Sequence, residues 1–246
     1  DEGSLARLIE KKRESGIFLS VLGFGTGNIK DNKMETLADK GNGNYAYIDC
    51  VQEAEKVLVS QMGGTLYTIA KDVKLQVEFN PAAVDSYRLV GYENRVMNAE
   101  DFDDDTKDAG ELGSGHRVTA IYEIVPAGEG GEDDGGLRYQ EANVRPSEDW
   151  FCVALRYKQP DGDTSRYLEV PVNGERYREA LSGDSLFACA VAQFGMLLRD
   201  SEYMEGITYG DVLSQAQAGK GADIEGYRAE CIRLIQVAKA LDRDMD

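Results

Sequence analysis

The sequence predicts an α+β protein: a doubly wound α/β segment, then an antiparallel β-sandwich, then a C-terminal helical bundle. Helix and strand patterns alternate in the first part, strand patterns dominate the middle, and apolar stripes with helical spacing fill the last part. We place these regions at residues 1–63, 64–176 and 177–246. With 246 residues and 42% hydrophobic content, the chain can form a core of substantial size.

The first region reads as helix, strand, helix, strand, helix. Ser4 can cap a helix over residues 4–14, and the nearly unbroken apolar run at 17–23 is typical of a strand buried on both faces. Helices over 31–40 and 51–62 flank a short strand at 45–48. This order is the pattern of a doubly wound sheet.

Two strands are few for such a sheet. An isolated pair of strands is marginally stable and cannot bury the apolar faces of three helices. We therefore expect that the chain begins within the α/β domain and that the other strands of this truncated sheet precede residue 1.

The middle region contains six strand patterns joined by turns. Val73, Leu75, Val77 and Phe79 alternate with polar residues, and the Asp-Gly pair at 161–162 is typical of a hairpin turn. Two acidic insertions interrupt the pattern, at residues 100–111 and 128–136. The predicted strands cover residues 65–70, 73–79, 86–92, 117–125, 149–157 and 166–170.

The last region is helical. Thr208 and Asp211 have the spacing of a capping box at the start of a short helix. Stripes of apolar residues on either side of this helix predict two longer ones. The stripes are Leu186, Ala190, Phe194 and Leu197, then Ile224, Tyr227, Cys231, Leu234, Ala238 and Leu241.

The charge of the chain restricts its partners. Lys and Arg number 27 against 45 Asp and Glu, a formal net charge of −18. Such a field repels the phosphates of nucleic acids and the anionic headgroups of membranes. The sequence has no apolar run of membrane-spanning length, so we expect no nucleic-acid partner and no direct membrane insertion.

The residues do not predict an enzyme. His116 is the single histidine, and residues 183–187 lack the final glycine of a nucleophile elbow. The glycine-rich run at 23–28 places Asn28 where a dinucleotide fingerprint needs its third glycine. The widely spaced Cys50, Cys152, Cys189 and Cys231 read as buried free thiols. We therefore assign no catalytic, cofactor-binding or metal-binding residue, and expect no cofactor in this chain.

One acidic cluster supports an alternative, a calcium-dependent binding module. The cluster runs from Glu100 to Glu111, and its alternating carboxylates at Asp101, Asp103 and Asp105 resemble those of a calcium loop. An EF-hand loop needs Gly and Glu where this sequence has Thr106 and Leu112. A solvated or backbone-capping cluster is the competing interpretation.

Several motifs resemble those of bacterial von Willebrand factor type A (VWA) proteins of the YfbK-like group. The sequences YRLVGYENR at 87–95 and DAGELGSGHRVTA at 108–120 carry the resemblance. SVLGFGTGN at 20–28 is similar to the late strand and exit loop of the VWA domain, and GYRAE at 226–230 to the family's C-terminal helix.

The resemblance implies a domain with a metal-ion-dependent adhesion site, whose DxSxS motif is absent from this sequence. By the family's order, the metal-binding elements precede residue 1, and Mg²⁺ or another divalent cation is expected only in the full-length domain. The resemblance further implies a non-catalytic binding or scaffolding role, in protein–protein interaction or assembly with a protein partner. It places this role at the bacterial cell envelope, in the periplasm or associated with the envelope. Strand edges left exposed by the missing strands would favour a dimer.

Overall fold

The computed structural model describes residues 2–25, 27, 29–92, 96–107, 109–128 and 147–242. The chain folds into two compact units, each assembled from three segments. The domains predicted from the sequence, at residues 1–63, 64–176 and 177–246, divide the chain differently from these two units. The predicted domain boundaries stay a prediction. Unit 1 comprises Asp1–Phe79, Met97–Val118 and Phe151–Pro171; unit 2 comprises Asn80–Val96, Thr119–Trp150 and Val172–Asp246.

Unit 1 begins with an α/β segment built from two helices and two parallel strands. Helix α1 (Glu2–Glu14) precedes strand β1 (Val21–Phe24), and α2 (Asp31–Lys40) precedes β2 (Tyr45–Ile48). Strands β1 and β2 pair in parallel, with Val21 opposite Tyr45. The predicted bounds of α2 and β2 are confirmed. Helix α1 starts before Ser4, so Ser4 is not its cap, and the strand predicted at 17–23 is shorter and later.

The turn between α2 and β2 requires a glycine at position 43. Asn42 has φ of 48°, and a Cβ atom on Gly43 would lie 1.9 Å from the carbonyl oxygen of Leu19. The backbone N–H of Leu19 donates to the carbonyl of Gly41 at 2.9 Å. The turn therefore packs backbone against backbone on the chain that leads into β1.

The single helix predicted at 51–62 is wrong. The structure has α3 (Val51–Glu55), a π-helical turn (Lys56–Ser60) and α4 (Met62–Leu66). The backbone N–H of Gln61 donates to the carbonyl of Lys56, five residues back, which marks the wider turn. The apolar spacing of a regular helix cannot reveal such an insertion.

Six further strands follow α4. Five of them agree in position with a predicted strand, although residues 65–70 and 73–79 form parts of one strand with irregular pairing near Asp72. Strand β5 is four residues long, begins at the end of the first acidic insertion and was not predicted. The strands are β3 (Thr68–Phe79), β4 (Val84–Val90), β5 (Gly110–Gly113), β6 (Ile121–Pro126), β7 (Asp149–Lys158) and β8 (Ser165–Asn173).

Unit 1 contains a four-stranded sheet in the order β5-β3-β7-β8. Lys74 lies opposite Arg156 and Leu75 opposite Leu155, so the two pairs occupy opposite faces. We call the face with Lys74 and Arg156 the basic face. The other, the apolar face, includes Leu75, Val77 and Phe79 with their partners Leu155, Val153 and Phe151.

Unit 2 combines the β4-β6 pair with three helices, α5 (Gly183–Leu198), α6 (Tyr209–Ala218) and α7 (Tyr227–Asp242). The predicted capping box of α6 is confirmed: the Thr208 hydroxyl accepts from the Asp211 N–H, and the Asp211 carboxylate accepts from the Thr208 N–H. The helices share a core of five buried side chains, Ala190, Val212, Ala216, Ile232 and Ile235.

Some predictions about the last two regions fail or stay open. Ile224 precedes α7 and is 96% exposed, so it does not belong to that helix's apolar stripe. The four cysteines are free, as predicted, but only partly buried. The β-sandwich and the helical bundle stay predictions. Residues 93–95 and 108 of the family-like motifs, and 129–136 of the second acidic insertion, lie outside the described residues.

In the part of the chain that the structure describes, no helix has the length and apolar character required to cross a bilayer.

Candidate functional site

The acidic loop, residues 98–107, is the first candidate because its carboxylates suggested a cation site. It begins with a 3-10 turn (Ala99–Asp101) and lies against the basic face of the four-stranded sheet. Lys74 of β3 is 3% exposed, and its Nζ donates to the carbonyl oxygens of Asp101 and Asp104, at 2.9 and 2.5 Å. A lysine ammonium therefore occupies the position where the backbone oxygens of this loop converge.

Basic side chains of β7 bind the rest of the acidic loop. An Arg156 guanidinium nitrogen lies 2.6 Å from the Asp103 carboxylate. Lys158 Nζ donates to the carbonyl oxygen of Asp105 at 2.9 Å and pairs with the Asp72 carboxylate at 2.8 Å. The acidic loop is thus neutralised by lysine and arginine that lie far from it in the sequence.

The Asp101 and Asp104 carboxylates have partners within the loop. Asp101 pairs with Lys107 at 3.1 Å, and this hydrogen bond raises the pKa of Lys107. The hydroxyl and the backbone N–H of Thr106 both donate to Asp104, which lowers the pKa of that carboxyl. Neighbouring carboxylates are therefore directed to different partners.

An aromatic anchor holds the acidic loop on the sheet. Phe102 is 4% exposed and meets the ring of Tyr167 on β8 edge to face, with 6.5 Å between the ring centroids. The Arg156 guanidinium lies 5.6 Å from the Phe102 centroid and 5.5 Å from that of Tyr167. Burial of this ring and the cation–π contacts fix the loop independently of its charges.

The acidic loop does not fit a divalent cation. Calcium takes six to eight oxygen ligands, and its sites gather several carboxylates around one point. Among the residues that the structure describes, no three or more His, Cys, Asp or Glu side chains are grouped so that they could hold a metal ion. The capping interpretation agrees better with the geometry than the calcium alternative for Glu100 to Glu111.

The residues weighed for catalysis lie in separate settings. His116 is exposed in the turn after β5. Ser185 lies in the first turn of α5, where its N–H donates to the capping hydroxyl of Ser182 at 3.2 Å. Burial raises the pKa of the Cys189 and Cys231 thiols, which disfavours the reactive thiolate. Of the glycine-rich run, Thr26 and Asn28 are outside the described residues.

A cleft around Arg88 in unit 2 is the second candidate, and sequence reasoning missed it. Arg88 lies opposite Glu123 in the β4-β6 pair, and its Nε donates to the Glu123 carboxylate at 2.9 Å. The guanidinium carbon of Arg88 is 3.7 Å from the centroid of the Tyr203 ring. The Arg88 cleft has a volume of about 420 Å³ and is lined by Arg88, Leu89, Arg199, Asp200, Ser201, Glu202 and Tyr203.

The cleft is positioned by a small core. Val90 of β4, Met196 of α5 and Met204 of the following 3-10 turn are buried together. Asp200 has φ of 51°, so the chain reverses sharply after α5 and brings Tyr203 back towards β4. The available signal was the YRLVGYENR motif, which contains Arg88 but does not itself identify a partner for it.

The GYRAE motif has a structural role in the same unit. Arg228 donates to the carbonyl oxygen of Gly219 at 2.9 Å and to the Asp184 carboxylate at 2.5 Å. Its guanidinium also lies 5.0 Å from the centroid of the Phe187 ring. Arg228 therefore connects the start of α7 to the end of α6 and the start of α5.

Comparisons with known proteins identify the family. The model of the family described as "Uncharacterized protein YfbK, C-terminal" matches residues 64–241. The chain is 42% identical over 244 residues to "Uncharacterized protein YfbK" of Escherichia coli (strain K12), covering 97% of this chain and 42% of that protein. The chain thus spans less than half the length of this curated relative.

A solved structure gives a weaker likeness. The ArnB paralog VWA2 from Sulfolobus acidocaldarius is 12% identical, with a TM-score of 0.42 over 89% of this chain and 54% of that one. A TM-score of this size does not establish that the two chains share a fold. The family match and the relative are sufficient, and they confirm the resemblance to the YfbK-like group: the chain belongs to the YfbK C-terminal family.

Proposed function

We propose that this chain is a non-catalytic protein-binding or scaffolding module of a bacterial VWA protein, and that the Arg88 cleft receives the partner. The observation that carries the proposal is the stacking of Arg88 on an exposed Tyr203 ring at the edge of a cleft. Arginine and tyrosine are enriched among the residues that dominate the energy of protein interfaces.

The charges of the cleft favour a protein partner. Arg88 and Arg199 line it together with Asp200 and Glu202, so neither sign dominates. A mixed surface suits polar and charged side chains of another protein. A nucleic acid would need a basic surface, whereas this chain carries a net charge of −18.

The contacts of Arg88 with Tyr203 and Glu123 orient its side chain for binding a protein partner. Its side chain is 21% exposed, while that of Glu123, its ion-pair partner, is 60% exposed. The pair therefore lies at the surface, where a partner's carboxylate can compete with Glu123 for the guanidinium. Tyr203 holds the guanidinium plane in place, which reduces the entropy lost on binding.

Residues 1–63 belong, in this proposal, to the C-terminal part of a VWA domain. The parallel β1-β2 pair with its flanking helices is compatible with one end of a doubly wound sheet. The match to 42% of the curated relative leaves room for the metal-dependent adhesion site upstream. Mg²⁺ or a similar cation would then bind the full-length protein and not this segment.

The location at the cell envelope is a proposal that rests on the family resemblance. Fractionation of cells that express the natural protein, followed by immunoblotting, tests it. Recovery in the cytoplasmic fraction alone would contradict it.

Capture of partners from the natural host tests the binding role. The unsubstituted chain should retain a defined protein, and Arg88→Ala and Tyr203→Ala should each reduce its recovery at least tenfold. Arg233→Ala is the matched control, because Arg233 is an exposed arginine on α7 of the same unit. Circular dichroism verifies that each variant is folded. Equal recovery with all three variants would contradict a role for the cleft.

Two measurements test the absence of chemistry and of a metal in this segment. Titration calorimetry with Mg²⁺ should give no stoichiometric binding to this chain and specific binding to the full-length protein. A broad hydrolase screen should find no activity that His116→Ala abolishes. Tight Mg²⁺ binding by the segment, or such an activity, would overturn the corresponding part of the proposal.

A further inference from the structure

Strand β8 forms one edge of the four-stranded sheet among the residues that the structure describes. It is the terminal strand in the order β5-β3-β7-β8, so in the described part of the chain only β7 pairs with it. Residues 166–171 of the strand are all exposed. An edge of this kind presents unpaired backbone N–H and C=O groups that can pair with another strand.

The edge has only part of the protection that is usual for such strands. Charged side chains, lysine above all, and proline are the usual protection. Strand β8 has no lysine, and its single proline, Pro171, lies near its end. Its two charged residues, Arg166 and Glu169, have opposite signs, so the strand is neutral in a chain of charge −18. The self-repulsion expected of an acidic chain is therefore absent along this strand.

The two faces of β8 differ. Tyr167 lies on the basic face, since it contacts Phe102 and Arg156. Successive residues alternate, so Leu168 and Val170 lie on the apolar face, where they are 53% and 54% exposed. With the half-exposed Leu75 of β3, they extend the apolar face to the open edge.

We propose that β8 pairs with β8 of a second copy of this chain, antiparallel and about a two-fold axis centred on Leu168. This register places Leu168 opposite Leu168, Tyr167 opposite Glu169 and Arg166 opposite Val170. No like charges face each other, whereas a register centred on Glu169 would bring two carboxylates together, which destabilises a pair of strands.

The sequence of β8 is thus compatible with pairing to β8 of a second copy. The two-fold pairing joins the two sheets through backbone hydrogen bonds and brings the exposed leucines and valines of both copies onto one face. This contact goes beyond the proposed binding of a different protein, and it uses neither Arg88 nor Tyr203. The two proposals can therefore fail separately.

Sedimentation equilibrium of the 246-residue chain tests the association. The mass should rise from monomer towards dimer with concentration, and Leu168→Lys should raise the dissociation constant at least tenfold by placing two ammonium groups face to face. Leu198→Lys is the matched control, because Leu198 on α5 is similarly exposed and the charge change is identical. A monomer at every concentration, or a dimer unaffected by Leu168→Lys, would overturn the proposal.

Oxidative cross-linking tests the register. Antiparallel neighbours that lie directly opposite have Cα atoms about 4.5–5.5 Å apart, within the range of a disulfide. Leu168→Cys should form a covalent dimer on mild oxidation, and Arg166→Cys should not, because Arg166 faces Val170. The unsubstituted chain, with its four free cysteines, gives the background. Efficient cross-linking by Arg166→Cys and not by Leu168→Cys would contradict the proposed pairing.

Discussion

The helices of unit 2 and the α/β segment of unit 1 bury their apolar residues to very different degrees. Val212 and Ile235 are fully buried between α5, α6 and α7. In the α/β segment the buried side chains are Ile9, Ala38 and Ile48, while Leu8, Ile17 and Phe24 are each more than half exposed. Similar apolar periodicity therefore produces a filled core in one region and an open surface in the other.

The difference has a thermodynamic consequence. Burial of apolar surface contributes roughly 25 cal/mol for each Å² removed from water. In unit 2 the helices bury their apolar side chains in one contiguous cluster. The β1-β2 sheet has only two strands, so it offers the helices of the α/β segment little apolar surface to pack against. We therefore expect the two regions to respond differently to substitution.

The largest expected effect is that of Ile235→Ala. Truncation of a fully buried isoleucine leaves a cavity and costs about 2–5 kcal/mol of the free energy of unfolding. The neighbouring Leu234→Ala is the matched control, because Leu234 is 52% exposed on the same helix. Urea unfolding followed by circular dichroism measures both. Equal destabilisation by the two substitutions would contradict a filled helical core.

Gly43→Ala tests the close approach of backbone atoms at the turn between α2 and β2. The added methyl group would collide with the carbonyl of Leu19, so the backbone must shift, at a cost of about 1–3 kcal/mol. Gly27→Ala is the control, since a Cβ on Gly27 meets no atom within 4 Å. Thermal unfolding of both variants provides the measurement. An unchanged unfolding temperature of Gly43→Ala would show that the close approach to Leu19 is not maintained.

The sequence alone predicted those parts of the fold that depend on local signals. The capping box of Thr208 and Asp211 and the bounds of α2 and β2 follow from residues close together in the chain. The π-helical turn after Glu55 and the short β5 could not be predicted in this way. Each depends on pairing or packing that apolar periodicity does not encode.

The candidate sites were harder to predict for the same reason. The acidic loop looked like a cation site because its neutralising groups, Lys74, Arg156 and Lys158, lie on other strands. The Arg88 cleft forms where the chain after α5 returns to β4. Both arrangements join residues that are distant in sequence, and a single sequence does not reveal such contacts.

Lys74→Met tests how the acidic loop is held. Methionine has a similar volume but no donor, so the carbonyl oxygens of Asp101 and Asp104 would lose their partner, at a cost of about 1–3 kcal/mol. Lys107→Met is the control, because Lys107 is 52% exposed. Thermal unfolding of the two variants and of the unsubstituted chain, with and without Ca²⁺, provides the measurement. Stabilisation of the unsubstituted chain by Ca²⁺ would contradict the interpretation that Lys74 takes the place of a cation at the loop.

The smallest expected effect is a pH dependence at the start of α7. Burial by itself would raise the pKa of Asp223, but the N–H groups of Arg228 and Ala229 donate to its carboxylate and hold the pKa below the ordinary value of an aspartic acid. A lowered folded-state pKa stabilises the protein at pH values above the unfolded pKa, and this contribution disappears as the pH falls through the folded value.

Comparison with Asp223→Asn measures this contribution. The difference in unfolding free energy between the unsubstituted chain and the variant should be constant near neutral pH and shrink below about pH 4. Urea unfolding at a series of pH values gives the difference. A gap that is the same at pH 3 and at pH 7 would show that ionised Asp223 does not support the helix.

The bond between Lys74 of β3 and the acidic loop has a consequence for the conditions under which the chain can operate. A metal bound to a loop dissociates when its concentration falls, and a chelator can remove it. Lys74 is covalently part of the chain, so its positive charge can be neither diluted nor extracted. We therefore expect the loop to keep the same shape in calcium-poor and calcium-rich surroundings.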